Sequence, residues 1–320
     1  MFDPIIVPLD GSLLAECVLP HTVAIARAYN AKVMLLNVLD KDQQHVSAQL
    51  FDLLNWQIHK VEAGLYLRKI DARLQKLAIR TEAAVQEGLV AETIIEFAHS
   101  QKMKLIILSS HGHSGVSRWG ISSVSQKIIL SAPTSVLIVR ALQPASSEIV
   151  EQAYRRILVP LDGSRRAENV LPIIAHLAHF HKSQIHIVNV VTMPEMARQF
   201  PPVQEDIDLS NRIVARNREE SVRYLEQVRL SSSLKGIPVQ THLLTSDNAP
   251  AVLHEFVDQE NIDLVALNAH GYSGNNQWPY GYMVNNFILY SRVPLLIVQD
   301  LPKKEDPSLG DRSTREQAEH

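Results

Sequence analysis

The chain alternates short apolar runs with longer stretches in which apolar residues recur every three or four positions. Residues 2–8 (FDPIIVP) and 32–39 (KVMLLNVL) are the first two such runs, and an Asp-Gly pair closes the first. Runs that are continuously apolar rather than alternating suit parallel strands buried on both faces. Between them, Leu14, Val18, Ile25 and Ala28 fall at helical spacing, with Ser12 placed to cap the helix start. Pro20 lies inside that segment and Pro172 inside its later counterpart, so a bend near the first turns is expected in both. The pattern then predicts a long helix over 49–79, a strand over 82–86 and a helix over 91–100. A strand over 104–109, a helix over 123–131 and a strand over 135–139 follow. Later strands are predicted at 157–160, 184–190, 238–243, 264–268 and 294–298. Strands alternating with helices imply open, mostly parallel α/β sheets.

The rhythm recurs because the sequence does. VPLDGSLLAECVLP at 7–20 and VPLDGSRRAENVLP at 159–172 agree at eleven of fourteen positions, with an offset of 152. HGHSG at 111–115 returns as HGYSG at 270–274 with an offset of 159, so the second copy carries a net insertion of seven residues. The chain reads as a duplicated domain: one copy over 1–142, a polar linker over 143–152 and a second copy over 153–300. Residues 301–320 are charged and nearly free of large apolar side chains, the composition of a disordered tail.

Composition narrows the function. A length of 320 residues fits two domains. Thirty-one Lys+Arg against 34 Asp+Glu leave a net charge of −3, without the basic surplus that nucleic-acid binding draws on. No run of 18 apolar residues occurs, so membrane insertion is not expected. The first residues lack a basic leader, and a cytoplasmic protein is expected. A single cysteine, Cys17, excludes an intrachain disulfide and reads as packing.

Familiar motifs fail on inspection. No GxxxxGK[ST] is present, and no GxGxxG follows the first strand. A serine nucleophile elbow would need glycine at 116, where Val116 stands; the second copy has Asn275. What remains is a loop after the fourth strand, Ser109-Ser110-His111-Gly112-His113-Ser114-Gly115, leading to a helix at Ser122-Ser123-Val124. Glycines let successive N–H groups turn toward one point, and a helix N-terminus adds positive potential, so the loop suits phosphate. Asp10 ends the first strand and borders the same crevice, at the sugar or base end, because a carboxylate repels phosphate.

Plainer readings stand beside these. Asp10-Gly11-Ser12 and Asp162-Gly163-Ser164 also read as strand-to-helix turns with a serine cap. His111 and His270 either polarise a phosphate or pack against the loop backbone. Arg165-Arg166 either neutralise phosphate or lie exposed. His176, His179, His181 and His186 have no interleaved carboxylate, so a solvated helix end is favoured over zinc and no metal is assigned. The long helix and the segment Met193–Pro202 read as a partner surface or a lid.

V-P-x-D-G-S at the start, H-G-x-[ST]-G later and the small-small dipeptide after it resemble the universal stress protein family in its tandem form. The resemblance covers about 1–140 and 155–300. It implies two Rossmann-like (adenine nucleotide alpha hydrolase-like) α/β domains. Each would hold a five-stranded parallel sheet, in the order 3-2-1-4-5, flanked by helices. One branch of the family holds ATP with G-x2-G-x9-G-[ST]; another lacks the motif. Carried over, the motif falls on Ser109, Gly112, Ser122 and Ser123, and on Asn268, Gly271, Gly281 and Tyr282. Serine at 109 or 122 would be costly if φ had to be positive there, and the Tyr282 ring could fill phosphate space.

The implied first-half site comprises Pro8, Leu9, Asp10, Val38, Ser109, His111, Gly112, His113, Ser114, Gly115, Ser122, Ser123 and Val124. The implied second-half site, the weaker of the two, comprises Pro160, Asp162, Val190, Asn268, Gly271, Gly274, Gly281 and Tyr282. By resemblance the protein is an ATP-binding stress-response regulator, with or without Mg2+, acting through an unknown protein partner. A scaffold that has lost nucleotide is the alternative. A slow ATPase ranks last, and no catalytic residue is assigned. The last strands, 135–139 and 294–298, are expected to pair and make the chain a pseudo-dimer, with homodimerisation left open.

Overall fold

Apolar side chains on both faces force the first strands into the middle of a layered structure. In the computed structural model, β1 (Ile5–Pro8) and β4 (Leu105–Ser109) are buried along their length up to the Pro8 end. The structure describes residues 2–40, 50–112, 121–142, 148–194, 204–271 and 280–300, with side chains of 50–55 set aside. The expected tail over 301–320 lies outside them.

The first copy adds β2 (Val33–Asp40), β3 (Thr81–Gly88) and β5 (Ser135–Val139), with helices α1 (Leu19–Tyr29), α2 (Leu50–Gln75), α3 (Val90–Ser100) and α4 (Ser123–Ser131). The second copy supplies β6 (Arg156–Pro160), β7 (Gln184–Val191), β8 (Val239–Thr245), β9 (Leu264–Asn268) and β10 (Leu295–Val298). Its helices are α5 (Leu171–His181), α6 (Gln204–Arg229), α7 (Ala249–Gln259) and α8 (Tyr282–Tyr290). All strands join one ten-stranded sheet, in the order β3-β2-β1-β4-β5-β10-β9-β6-β7-β8. Each half therefore has the 3-2-1-4-5 winding, and both belong to one continuous sheet. Every pairing within a half is parallel. The seam is antiparallel, with Leu296 opposite Leu137.

Two cores flank the sheet. Ile25, Leu67, Ile70, Leu171 and Leu225, from α1, α2, α5 and α6, pack on one face. Ile94, Ile128, Leu253 and Phe287, from α3, α4, α7 and α8, pack on the other. Among the described residues, no helix is long and apolar enough to cross a membrane.

Two local expectations change. Ala15–Val18 and Ala167–Val170 are 3-10 turns, and α1 and α5 begin just after them, with Pro20 and Pro172 in second position. A proline there forfeits no intrahelical hydrogen bond, so it starts the helix instead of bending it. Ser12 Oγ correspondingly accepts the N–H of Ala15, the first residue of the 3-10 turn, at 3.1 Å, while α1 has no side-chain cap. Helix α2 stops at Gln75, four residues before the expected end, and Ala78 then takes a left-handed φ of 60° on the way to β3.

The halves interlock beyond the seam. Tyr29 Oη donates to the Ile173 carbonyl at 2.8 Å, and fully buried Tyr154 meets His21 Nδ1 at 2.9 Å. Tyr280 Oη donates to the Ile129 carbonyl at 2.7 Å, and Arg140 to the Ile288 carbonyl at 2.6 Å. Ile129 and Ile288 hold the same place in the two copies.

Candidate functional site

Parallel strands in an open sheet leave a crevice at their carboxyl ends where the winding reverses, here between β1 and β4. Asp10 stands on its β1 side. Its Oδ1 accepts the Ser12 N–H at 2.9 Å and the Ser12 hydroxyl at 2.7 Å, so the capped-turn reading holds. Its Oδ2 lies against Gly112, where a Cβ would sit only 1.9 Å away. The second copy repeats this: Asp162 Oδ1 accepts Ser164 N–H and Oγ–H at 3.0 and 2.6 Å, and a Cβ on Gly271 would lie 2.1 Å from Oδ2. A side chain at either glycine would therefore displace the aspartate carboxylate, a reason for glycine independent of any phosphate.

The first-half crevice encloses about 630 Å³. Pro8, Leu9, Asp10, Val38, Ser109, Gly112, Ser122, Ser123 and Val124 all line it. His111 does not. It is 6% exposed, with Nδ1 3.0 Å from Ser110 Oγ, and burial and then the Arg140 charge lower its pKa. Of the two readings of His111, packing against the loop fits this placement. His113, Ser114 and Gly115 lie outside the described residues.

The remaining wall comes from positions that the motif reading passed over. His59, Glu62, Ala63 and Tyr66 on α2 line the cavity. Asn189, Asn217, Glu220, Ser221 and Tyr224 line the second one, at matching places in β7 and α6. Spacing of three, one and three residues, with glutamate and tyrosine kept in both copies, is the signal that would have found them. On the floor, Asn37 Nδ2 donates to the Leu9 carbonyl at 2.7 Å, as Asn189 does to Leu161 at 2.8 Å. Asn37 Oδ1 is buried without a hydrogen-bond partner.

Serine at the two glycine positions is not strained. Ser122 has φ −59°, and Ser109 continues β4, so neither needs positive φ. Ser122 caps α4, its Oγ accepting the Ser125 N–H at 3.1 Å, and the Ser125 hydroxyl donates to the Ser109 carbonyl at 2.9 Å.

The second half is built differently. Its cavity, about 380 Å³, is lined by Asp162, Gly163 and Asn189–Thr192 together with α6. Asn268 donates from Nδ2 to the His270 carbonyl and to Asp300 Oδ2, each at 2.9 Å. His270 Nδ1 lies 2.8 Å from Asp300 Oδ1, and Arg166 pairs with Oδ2. Burial works against the Asp300 charge, but hydrogen bonds from Arg166, His270 and Asn268 prevail and hold its pKa below the usual carboxylate value. The Arg166 side chain is therefore committed to a carboxylate. Tyr282 is 70% exposed, so its ring stands in solvent, unlike the expected intrusion into phosphate space. Gly281 precedes α8, donating its N–H to the Ala269 carbonyl at 3.0 Å. Pro160 is buried at the end of β6, Val190 lines the cavity, and Gly274 lies outside the described residues.

The clustered histidines disperse. His176 Nε2 sits 2.8 Å from the Ala28 carbonyl, with its ring stacked on Tyr29. His181 packs edge-on against Tyr154, and His186 is buried in β7, 3.2 Å from His242. A solvated helix end describes His176 and His179, which are exposed on α5, but not the partly buried His181 or the buried His186. Among the described residues, no group of three or more metal-binding side chains converges. Burial pushes the half-buried Cys17 thiol up to about 12, in keeping with packing.

This geometry has known counterparts. The model of the universal stress protein family matches residues 1–140 and 153–299. The chain belongs to the universal stress protein family. It carries two copies of the family's domain in tandem. A universal stress protein of Methanocaldococcus jannaschii is 27% identical over 141 residues, 44% of this chain and 83% of that protein. A universal stress protein of Archaeoglobus fulgidus is 17% identical, with a TM-score of 0.63 over 93% of this chain and 99% of its own. A functionally unknown protein of Pseudomonas aeruginosa is 14% identical, with a TM-score of 0.66 over 93% and 92%. At such identities these two structures support the universal stress protein fold.

Proposed function

We propose that this tandem universal stress protein is a cytoplasmic, nucleotide-linked stress regulator whose first half binds an adenine nucleotide. ATP is the ligand that the family resemblance implies, and occupancy of the crevice changes affinity for a protein partner. The observation that carries the reading is the 630 Å³ cavity bounded by the Asp10–Gly112 contact and the start of α4. It lies where open α/β sheets take ligands. The base end would meet Pro8, Asp10 and the Val38 backbone, and the phosphate end Gly112 and the residues around Ser122. The second half, with a smaller cavity and its β9 end bonded to Asp300, is the weaker site.

Protein purified without added nucleotide and then denatured is expected to release about one adenine nucleotide per chain, identified by mass spectrometry. Asp10→Ala should abolish the release, and Asp162→Ala should leave it intact. Loss in Asp162→Ala alone would move the site to the second half. No released nucleotide, and no heat on titrating Mg-ATP, would sink the regulator in favour of a nucleotide-independent scaffold. The internal bonding of Ser122 and Ser125 is what supports that second reading. ATP turnover above a heat-killed control, abolished by Gly112→Val, would raise the third reading, a slow ATPase.

A further inference from the structure

We propose that His186 and His242 form a pH-sensitive latch in the second half. At neutral pH the pair holds strand β8 and helix α7 closed on the sheet, and in mildly acidic solution it releases them. The latch lies apart from both crevices and does not depend on any nucleotide they take.

The two copies differ here in a concerted way. His186 lies on β7 and His242 on the neighbouring β8, with His186 Nδ1 3.2 Å from His242 Nε2. In the first copy the same register positions on β2 and β3 hold Met34 and Ala84. Both members of an apolar cross-strand pair are thus imidazoles in the second. Phe256 on α7 packs edge-on against them, its ring centroid 5.9 Å from His186 and 4.8 Å from His242. The charged groups facing the pair are Glu260, just past the end of α7, and Arg156, at the start of β6. Arg156 Nη1 donates to the Glu260 carbonyl at 2.6 Å. Gln101 and Pro4 hold those two places in the first copy.

Such a pair is tolerated only while it is neutral. One ring N–H serves the bond between the imidazoles, and a further proton brings a charge into a packed layer. His186 is 1% exposed, and its Nε2 is buried without a hydrogen-bond partner among the described residues. Burial is the largest influence on both rings and lowers both pKa values; His242 adds to the lowering at His186, and Glu260 offsets only part of it. An opened segment meets no such penalty. Each proton taken up below pH 6.5 therefore favours the open form, and stability from the pair, full above that pH, is lost as pH falls. Topology lets the opening stay local. Strand β8 ends the sheet order and is only partly buried, so it can part from β7 with α7 while the seam stays intact.

Hydrogen exchange of the intact chain at pH 7 and pH 5, corrected for the intrinsic pH dependence of amide exchange, tests this. One proton on a group of ordinary histidine pKa favours the open form by about thirtyfold at pH 5. Val239–Thr245 and Ala249–Gln259 are therefore expected to exchange at least about tenfold faster at pH 5 than at pH 7. The matched segments Thr81–Gly88 and Val90–Ser100 should rise much less, and an equal rise in both pairs of segments would overturn the latch. His186→Met combined with His242→Ala restores the first-copy pair and should remove the difference; its persistence would also overturn the proposal. Imidazole-nitrogen NMR titration of the parent chain keeps the test independent of how that variant folds. Both rings are expected to titrate below pH 6.5, and either one titrating at or above it would sink the latch.

Discussion

Burial decides what single residues do in this protein, and His21 is the clearest case. It is 9% exposed, shares a hydrogen bond with Tyr154, and burial lowers its pKa to about 4 from 6.5. Below pH 6.5 the unfolded chain gains a proton at this position, whereas the folded chain stays neutral until about pH 4. Stability from this residue is thus full above pH 6.5 and is lost as pH falls toward 4. Between pH 7 and 5 the loss should be about 2 kcal/mol. Urea unfolding at both values should show a smaller drop in His21→Phe than in the parent chain. An equal drop would show that position 21 does not titrate between the folded and unfolded states. The same scale explains where motif reading stopped short. Gly112 was legible as a glycine with a purpose, but not as one packed against the Asp10 carboxylate, because that contact joins residues about a hundred positions apart. The Ser125–Ser109 bond and the partners of Asp300 were hidden because each joins residues on different elements, 16 to 134 positions apart, that only the folded sheet brings together.

At the scale of elements, strands were more legible than helix ends. Continuous apolar runs marked the central strands, since burial on both faces leaves little room for another pattern. The edge strands β3 and β8 are polar and only partly buried, and were placed by their position in the repeating alternation of strands and helices. Helix starts were misplaced at Pro20 and Pro172 because a 3-10 turn precedes each, and turn type depends on the Asp-Gly-Ser hydrogen bonds. The two long helices show what a repeat can add. Ile58, Val61 and Leu65 on α2 are each more than half exposed, and the matched positions on α6 are Arg216, Glu219 and Arg223. Side chains so exposed contribute little to folding. Replacing the three by their α6 counterparts should therefore change stability by less than about 0.5 kcal/mol per substitution. A combined loss above about 3 kcal/mol in denaturant unfolding would mean that this face is packed in solution.

For the whole molecule, the β5–β10 seam is the organising contact. Val136, Leu137 and Ile138 on β5 are buried against β10, so residues 1–142 expressed alone would present a bare apolar edge. Unpaired edges of that kind recruit another strand, and an antiparallel pair can close as a twofold dimer. Light scattering should therefore find that fragment dimeric or larger, and a stable monomer would show that the seam is dispensable. Duplication itself was plain from the sequence. That the copies form one sheet through their last strands was expected only from the family resemblance, because no local pattern specifies which edges meet.

Joining two copies by a peptide link rather than by chance encounter also changes how the protein can vary over generations. In a symmetric pair made from one short gene, every substitution appears twice, and a change harmful at either site is lost. Here Asn268, Asp300 and Arg166 stand in one copy only, while Ser109, Ala141 and Leu14 hold the corresponding places in the other. The fused gene releases each crevice from its twin, so one can keep an inherited ligand while the other drifts toward a different use under the shelter of a shared fold.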